Sequence, residues 1–353
     1  MERVHFGVNC IARLGEELDR LGSERPFVVT GRTIADETSL VDQIEHAAGR
    51  KLAGVFGKIR QHTPESDIRS AINQAKSSRA DSLISLGGGS PIDATKIVVK
   101  ELSQNFKETA LAHVAVPTTL SAAEFSHSAG VTDEKLNRKT GFRDLRMVPR
   151  IIFLDPVLTK PTPAWLWAST GVRSLDHAVE AVLSDRHQPY VDTLALEAIR
   201  LLFQNLKPSS DDSSDLNSRG ACQSAAWMSY AGALSVGTGV SHAIGRVIGA
   251  TWGIPHGITS CLTLAEVMRS QARQKPDRLI PIALAEGKSI EGVSGGSAAL
   301  SAADGVAELV SQLGLSKRLR DYKIEKKDLP RIAEQVGAIE GRDFVLDILE
   351  KIW

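Results

Sequence analysis

The sequence predicts an N-terminal α/β domain built on a parallel sheet, followed by an all-α domain. Three observations predict it. Short apolar runs alternate with helix-period segments over the first ~155 residues, strand signals stop after Asp155-Pro156, and three prolines (Pro156, Pro161, Pro163) crowd the junction. In this 353-residue chain the domains are expected at 1–157 and 158–353.

In chain order, Arg25–Thr30 reads as a buried strand ending at Gly31, Leu40–Ala48 as a helix, and Ala53–Phe56 as a second strand. Thr63-Pro64-Glu65 opens a helix that runs to Ser78, with Thr63 as cap, Pro64 at the first helical position and Glu65 at the positive dipole end. Asp81–Leu86 is a strand, Gly87-Gly88-Gly89-Ser90 a turn, and a helix starts at Pro91. His113–Val116 and Ile151–Leu154 complete the sheet. The polar stretch Gly130–Pro149 reads as a hairpin turning at Lys139-Thr140-Gly141. In the second half, residues 169–186, 191–206, 216–235, 239–250 and 257–272 carry helical spacing. Val306, Leu309, Val310 and Leu313 form the stripe of a later helix. Lys207–Ser214 is expected to be a solvated loop.

Composition excludes several classes of partner. Lys+Arg and Asp+Glu are both 42, and the first 150 residues hold 21 basic and 19 acidic side chains. Neither half is a charged arm, so nucleic acid and membrane surfaces are not expected as partners. No apolar run approaches the ~20 residues that span a bilayer, and Met1–Phe6 does not read as a signal peptide. Cys10, Cys222 and Cys261 are far apart with no CxxC, so neither a disulfide framework nor a cysteine zinc site is expected, and the cytoplasm is.

Two segments point to chemistry at the sheet. Gly87-Gly88-Gly89-Ser90 joins a strand to a helix start, where glycines permit close backbone approach and free N–H groups suit a diphosphate. Val116-Pro117-Thr118-Thr119 sets two hydroxyls past the next strand's carboxyl end, the edge at which open α/β sheets bind ligands. After the first strand, Gly31-Arg32 stands where an acid would accept the adenosine 2′-hydroxyl, so NADPH fits as well as NADH.

Two pairs mark the helical half. Arg173 and His177 are four residues apart, as are His242 and Arg246, so each pair shares a helix face. In one straight helix His242 and His256 would be roughly 21 Å apart. Gly253 and Pro255 break the helix and allow the chain to return.

In Gly87–Lys96, Val116–Thr119, Asp155-Pro156, Gly171–Ala178 and His242–Gly257 the chain resembles the group III, iron-containing alcohol dehydrogenase family, over essentially its whole length. The resemblance implies the dehydroquinate-synthase-like architecture, with a dinucleotide-binding α/β domain and a helical catalytic domain, in a homodimer. It implies that Gly87, Gly88, Gly89 and Ser90 hold the pyrophosphate and that Thr118 and Thr119 lie beside the cofactor. In metal-bearing members an aspartate and three histidines bind Fe²⁺ or Zn²⁺. Three positions are kept as His177, His242 and His256, but Arg173 stands at the aspartate position, and Arg246 stands where a histidine is common. A guanidinium cannot ligate a cation and opposes one nearby.

This departure resembles the metal-independent maleylacetate reductase branch. It implies no resident metal and NADH- or NADPH-dependent reduction of an anionic unsaturated keto acid, 2-maleylacetate to 3-oxoadipate, in aromatic degradation. His177, His242 and His256 would be catalytic and Arg173 and Arg246 would bind the dicarboxylate, with Asp176 a structural partner. The alternative is an alcohol dehydrogenase or aldehyde reductase of the same fold, with Zn or Fe on the three histidines.

Overall fold

The computed structural model describes residues 1–104, 111–134, 138–337 and 341–353. The chain forms two compact units, Met1–Thr162 and Pro163–Trp353. The division falls past residue 157 because the turn Pro156–Thr159 belongs to the first unit. Leu158 is buried in a core on one face of the sheet, and Thr162 Oγ1 donates to the Thr118 carbonyl at 2.8 Å.

The first unit holds strands β1 (Arg3–Phe6), β2 (Pro26–Val29), β3 (Gly54–Phe56), β4 (Ser82–Gly87), β5 (Ala112–Pro117), β6 (Ser128–Asp133), β7 (Arg138–Arg143) and β8 (Ile151–Leu154). Its helices are α1 (Leu14–Arg20), α2 (Arg32–Glu37), α3 (Leu40–Ala48), α4 (Glu65–Ser77) and α5 (Gly89–Leu102). Six strands form a sheet in the order β1-β8-β5-β4-β2-β3, and every pairing is parallel. Alternate residues serve two cores: Phe27, Val29 and Leu83 face α4 and α5 residues Ile68, Ala71 and Val98, while Val28, Ile84 and Val114 face Leu18 and Ile44. Burial on both faces explains the unbroken apolar runs. From β2 the chain passes to β3 on one side, then crosses to β4 and β5 on the other. The order therefore reverses between β2 and β4, and their carboxyl ends flank the crevice where such sheets take ligands.

Two local expectations are corrected, and one strand was missed. Lys139-Thr140-Gly141 is not a turn: these residues lie in β7, opposite Thr132, Val131 and Gly130 of β6. Residues 135–137, between the strands, lie outside the described residues. The helix at 65 begins at Glu65 with Pro64 at the cap, and the Thr63 side chain makes no capping bond. Strand β1 was not expected; it lies at the sheet edge and is only half covered. It is tied down by Glu17 of α1, which accepts from Arg20 Nε (2.7 Å) and Arg3 Nη1 (2.9 Å) and lies 2.8 Å from His5 Nε2. Burial alone would raise the Glu17 pKa; the three donors outweigh it and lower it to about 2.

The second unit is helical: α6 (Ala164–Leu183), α7 (Pro189–Asp211), α8 (Leu216–Val236), α9 (Val240–Trp252), α10 (His256–Gln271), α11 (Pro276–Ala285), α12 (Gly295–Gln312), α13 (Leu329–Val336) and α14 (Arg342–Ile352). The expected loop at 207 is helical as far as Asp211. Its polar residues are not all solvated, because Ser209 is buried and accepts from Trp167 Nε1 at 2.9 Å. Among the described residues, no helix is long and apolar enough to cross a membrane.

Candidate active site

The α/β unit gathers its glycine turn at the β2/β4 crevice. Gly87 ends β4 with φ +135°, a conformation open to glycine, and Gly88 is the cap of α5. Gly89 and Ser90 form the first turn of α5, whose leading N–H groups have no partners within the helix. Thr118 N donates to the Gly87 carbonyl at 3.0 Å. A β-carbon on Gly88 would stand 3.0 Å from Thr119 Cγ2, so the turn is pressed onto that side chain. Thr119 Oγ1 is buried and has no hydrogen-bond partner among the described residues. An orphaned hydroxyl beside a glycine turn and a helix N-terminus fits a bound diphosphate.

Beneath this turn, Lys96 of α5 is fully buried. Its Nζ donates to the Ala123 (2.6 Å) and Ser128 (2.9 Å) carbonyls and to Asp93 Oδ1 (3.2 Å). Lys96 thus fastens the segment after β5 to the phosphate-facing helix. Nearby Glu124 is pushed up to about 7 by burial.

In the helical unit, Arg173, Asp176, His177 and Glu180 lie on α6, His242 and Arg246 on α9, and His256 opens α10. The expected helix break is present. Gly253 ends α9 with φ +67°, and Pro255 caps α10, so the chain folds back. Small residues allow close packing: a β-carbon on Gly257 would meet the Ser169 backbone at 2.6 Å, and one on Gly249 would lie 3.6 Å from His256 Nδ1.

His177 and His242 stack with ring centroids 4.8 Å apart, and Tyr230 meets His177 edge-on at 5.3 Å. His242 Nδ1 lies 2.6 Å from Glu180 Oε2 and 3.3 Å from Asp176 Oδ2. Arg173 Nη1 donates to Ser260 Oγ at 3.1 Å and stands 3.8 Å from Asp176 Oδ2, with its side chain 14% exposed. Arg246 is exposed, its Nη1 3.4 Å from Thr238 Oγ1.

Burial and the Arg173 charge oppose protonation of His242, but Asp176 and Glu180 outweigh them and its pKa rises. His177, buried beside the His242 and Arg173 charges, falls well below its ordinary value. Arg173 and the His242 ring therefore face Asp176 and Glu180 within the cluster. His177 Nδ1, His242 Nε2 and Asp176 Oδ1 are buried without hydrogen-bond partners among the described residues, as expected where a polar ligand enters.

Sequence reasoning missed Glu180 and underrated Asp176. Arg173, Asp176 and Glu180 form an i, i+3, i+7 stripe on one helix face, and that spacing was the available signal. It also missed the Ser241 and Ser260 hydroxyls, which donate to Asp176 Oδ2 at 2.8 and 2.6 Å. Asp176, Glu180 and His242 are the one group among the described residues whose three ligand-type atoms lie within 4.8 Å of one another; His177 and His256 are outside it.

Residues 2–156 match the model of the iron-containing alcohol dehydrogenase family, and residues 167–342 match its Fe-containing C-terminal domain. The chain is 29% identical to a 1,3-propanediol dehydrogenase of Klebsiella pneumoniae, covering 93% of this chain and 89% of that one. It is 27% identical to a maleylacetate reductase of Pseudomonas aeruginosa, covering 94% and 88%. A crystal structure of a 1,3-propanediol oxidoreductase superposes with a TM-score of 0.92 at 26% identity, over 99% of this chain and 97% of that one. The chain belongs to the iron-containing alcohol dehydrogenase family and is an NAD(P)-dependent oxidoreductase.

Proposed function

We propose that this enzyme reduces an anionic unsaturated keto acid, 2-maleylacetate to 3-oxoadipate, without a resident metal. The observation that carries this reading is Arg173, a half-buried guanidinium close to the stacked His177–His242 pair, at the position of a metal-binding aspartate in the family.

The family's name implies iron, and the residues here fit it poorly. The three retained histidines do not form a ligand group. In the group that could hold an ion, Asp176 Oδ2 already accepts two hydroxyls, and Glu180 Oε2 accepts from Gly239 N at 2.6 Å. Arg173 adds a fixed charge that opposes a dication.

Held at the Gly87–Ser90 turn, a reduced dinucleotide would supply the hydride for the carbon–carbon double bond conjugated with the ketone. Negative charge then grows on the ketone oxygen. His242, whose protonated form Asp176 and Glu180 favour, and Arg173 stabilise that charge from an enclosed site, where an aligned cation is most effective. Arg173 and Arg246 take the carboxylates. His256 delivers the proton to carbon, and neutral His177 orients His242 through the ring stack.

The test follows NAD(P)H oxidation with maleylacetate, simple aldehydes and 2-oxo acids, alongside elemental analysis of the active protein. Turnover of maleylacetate by metal-free protein is expected. Turnover of aldehydes only, dependent on added Zn²⁺ or Fe²⁺, overturns the proposal in favour of a metal-dependent alcohol dehydrogenase using the Asp176–Glu180–His242 group.

A further inference from the structure

We propose that Arg32 and Lys58 form a receptor for the 2′-phosphate of NADPH, which makes NADPH the preferred dinucleotide. The proposal rests on the dinucleotide reading of the glycine turn. It begins from the strand order: the turns after β2 and β3 lie on the same carboxyl edge of the sheet as Gly87–Gly89, with β2 beside β4.

The two turns are interlocked. Ile59 N donates to the Thr30 carbonyl at 3.1 Å, and a β-carbon on Gly31 would lie 3.3 Å from Ile59 O. A β-carbon on Gly57 would collide with Ala35 Cβ. Arg32 follows Gly31 and Lys58 precedes Ile59, so their backbones flank this contact. The patch also adjoins the phosphate turn, since a β-carbon on Gly87 would stand 3.2 Å from Ile34 Cδ1.

Charge at this patch is one-sided. No acid occurs in Thr30–Ile34 or Gly57–Arg60, and the α2 acids Asp36 and Glu37 come a turn later. Arg32 and Lys58 are exposed, and neither has a hydrogen-bond or ion-pair partner among the described residues. Arg60, on the same loop, is committed to Asp67 at 2.7 Å and Glu134 at 3.0 Å. Two uncommitted cations on neighbouring, interlocked turns suit a dianionic phosphate, with Arg32 able to bind two of its oxygens. An acid that would accept a 2′-hydroxyl and repel the phosphate is missing.

The experiment measures Kd for NADPH and NADH by nicotinamide fluorescence, in the wild-type full chain and in R32A, K58A and G31D. NADPH is expected to bind at least about tenfold tighter than NADH, the discrimination of one charge-assisted hydrogen bond. R32A and K58A should each shrink that ratio, and G31D should reverse it. Equal affinities, or tighter NADH, overturn the proposal while leaving the dinucleotide reading intact. A wild-type preference that survives in both R32A and K58A overturns the assignment to these residues. If neither dinucleotide binds, the dinucleotide reading falls and this proposal with it.

Discussion

The Nδ1 atom of His242 lies 2.6 Å from Oε2 of Glu180, although 62 residues separate them in the chain. Glu180 also receives Gly239 N and His242 N, so one carboxylate fixes both the start of α9 and the ring it carries. Glu180→Gln offers an amide donor where two donors converge. We expect kcat to fall at least about tenfold with a smaller change in KM, the cost of a charge-assisted hydrogen bond. Steady-state kinetics checks it, with circular dichroism to confirm the fold.

Arg173→Met should lower kcat/KM for a dicarboxylate about 100-fold or more if, as proposed, its charge faces the substrate. Arg173→Lys keeps the charge but not the planar fork, and should recover only part of the loss, chiefly in KM. Comparing both variants on maleylacetate and on an uncharged aldehyde checks this; equal losses on the two substrates would count against a carboxylate-binding role.

Lys96→Met leaves Asp93 without its cation and the half-buried Ala123 and Ser128 carbonyls without this donor. Leaving a carbonyl without its donor costs about 1–3 kcal/mol, so the melting temperature should fall by several degrees, about 2–4 °C per kcal/mol. Differential scanning calorimetry measures it.

Gly88→Ala places a methyl group 3.0 Å from Thr119 Cγ2 and 3.2 Å from its Oγ1. Overpacking of this size costs about 1–3 kcal/mol. Displacement of Thr119 should weaken dinucleotide binding about tenfold, read by fluorescence titration.

Glu17 makes a pH-dependent contribution of definite sign. Its pKa in the folded protein is lowered to about 2, below the ~4.3 of an unfolded glutamate. Its stabilisation is complete above the unfolded value and is lost as pH falls through the folded one. The stability gap between wild type and Glu17→Gln should be constant above about pH 5 and close toward about pH 2. Urea denaturation across that range measures the gap.

The parts legible in the sequence were those fixed by local pattern. β2, β4, β5 and β8 are continuous apolar runs because both faces are covered, and Gly87–Gly89 announces a backbone need that a side chain would obstruct. β1 was not legible, since an edge strand reading Arg-Val-His-Phe is held by a carboxylate in the next helix rather than by apolar burial. Helix α7 was read short because Ser209 looks solvated until Trp167 is found to donate to it. At the site, the histidines and arginines stood out as residue types. Glu180 did not, because its role depends on α9 arriving from far along the chain.

The three residues between α9 and α10 have a consequence for how this enzyme can diverge. Each helical residue advances the azimuth by about 100°. One inserted residue in Gly253–Pro255 could swing His256 around its axis and lift Gly257 off Ser169, whereas insertions in the exposed segment 291–293 would leave the constellation undisturbed. Length variation in homologous chains should therefore be absent at this joint and tolerated at that loop.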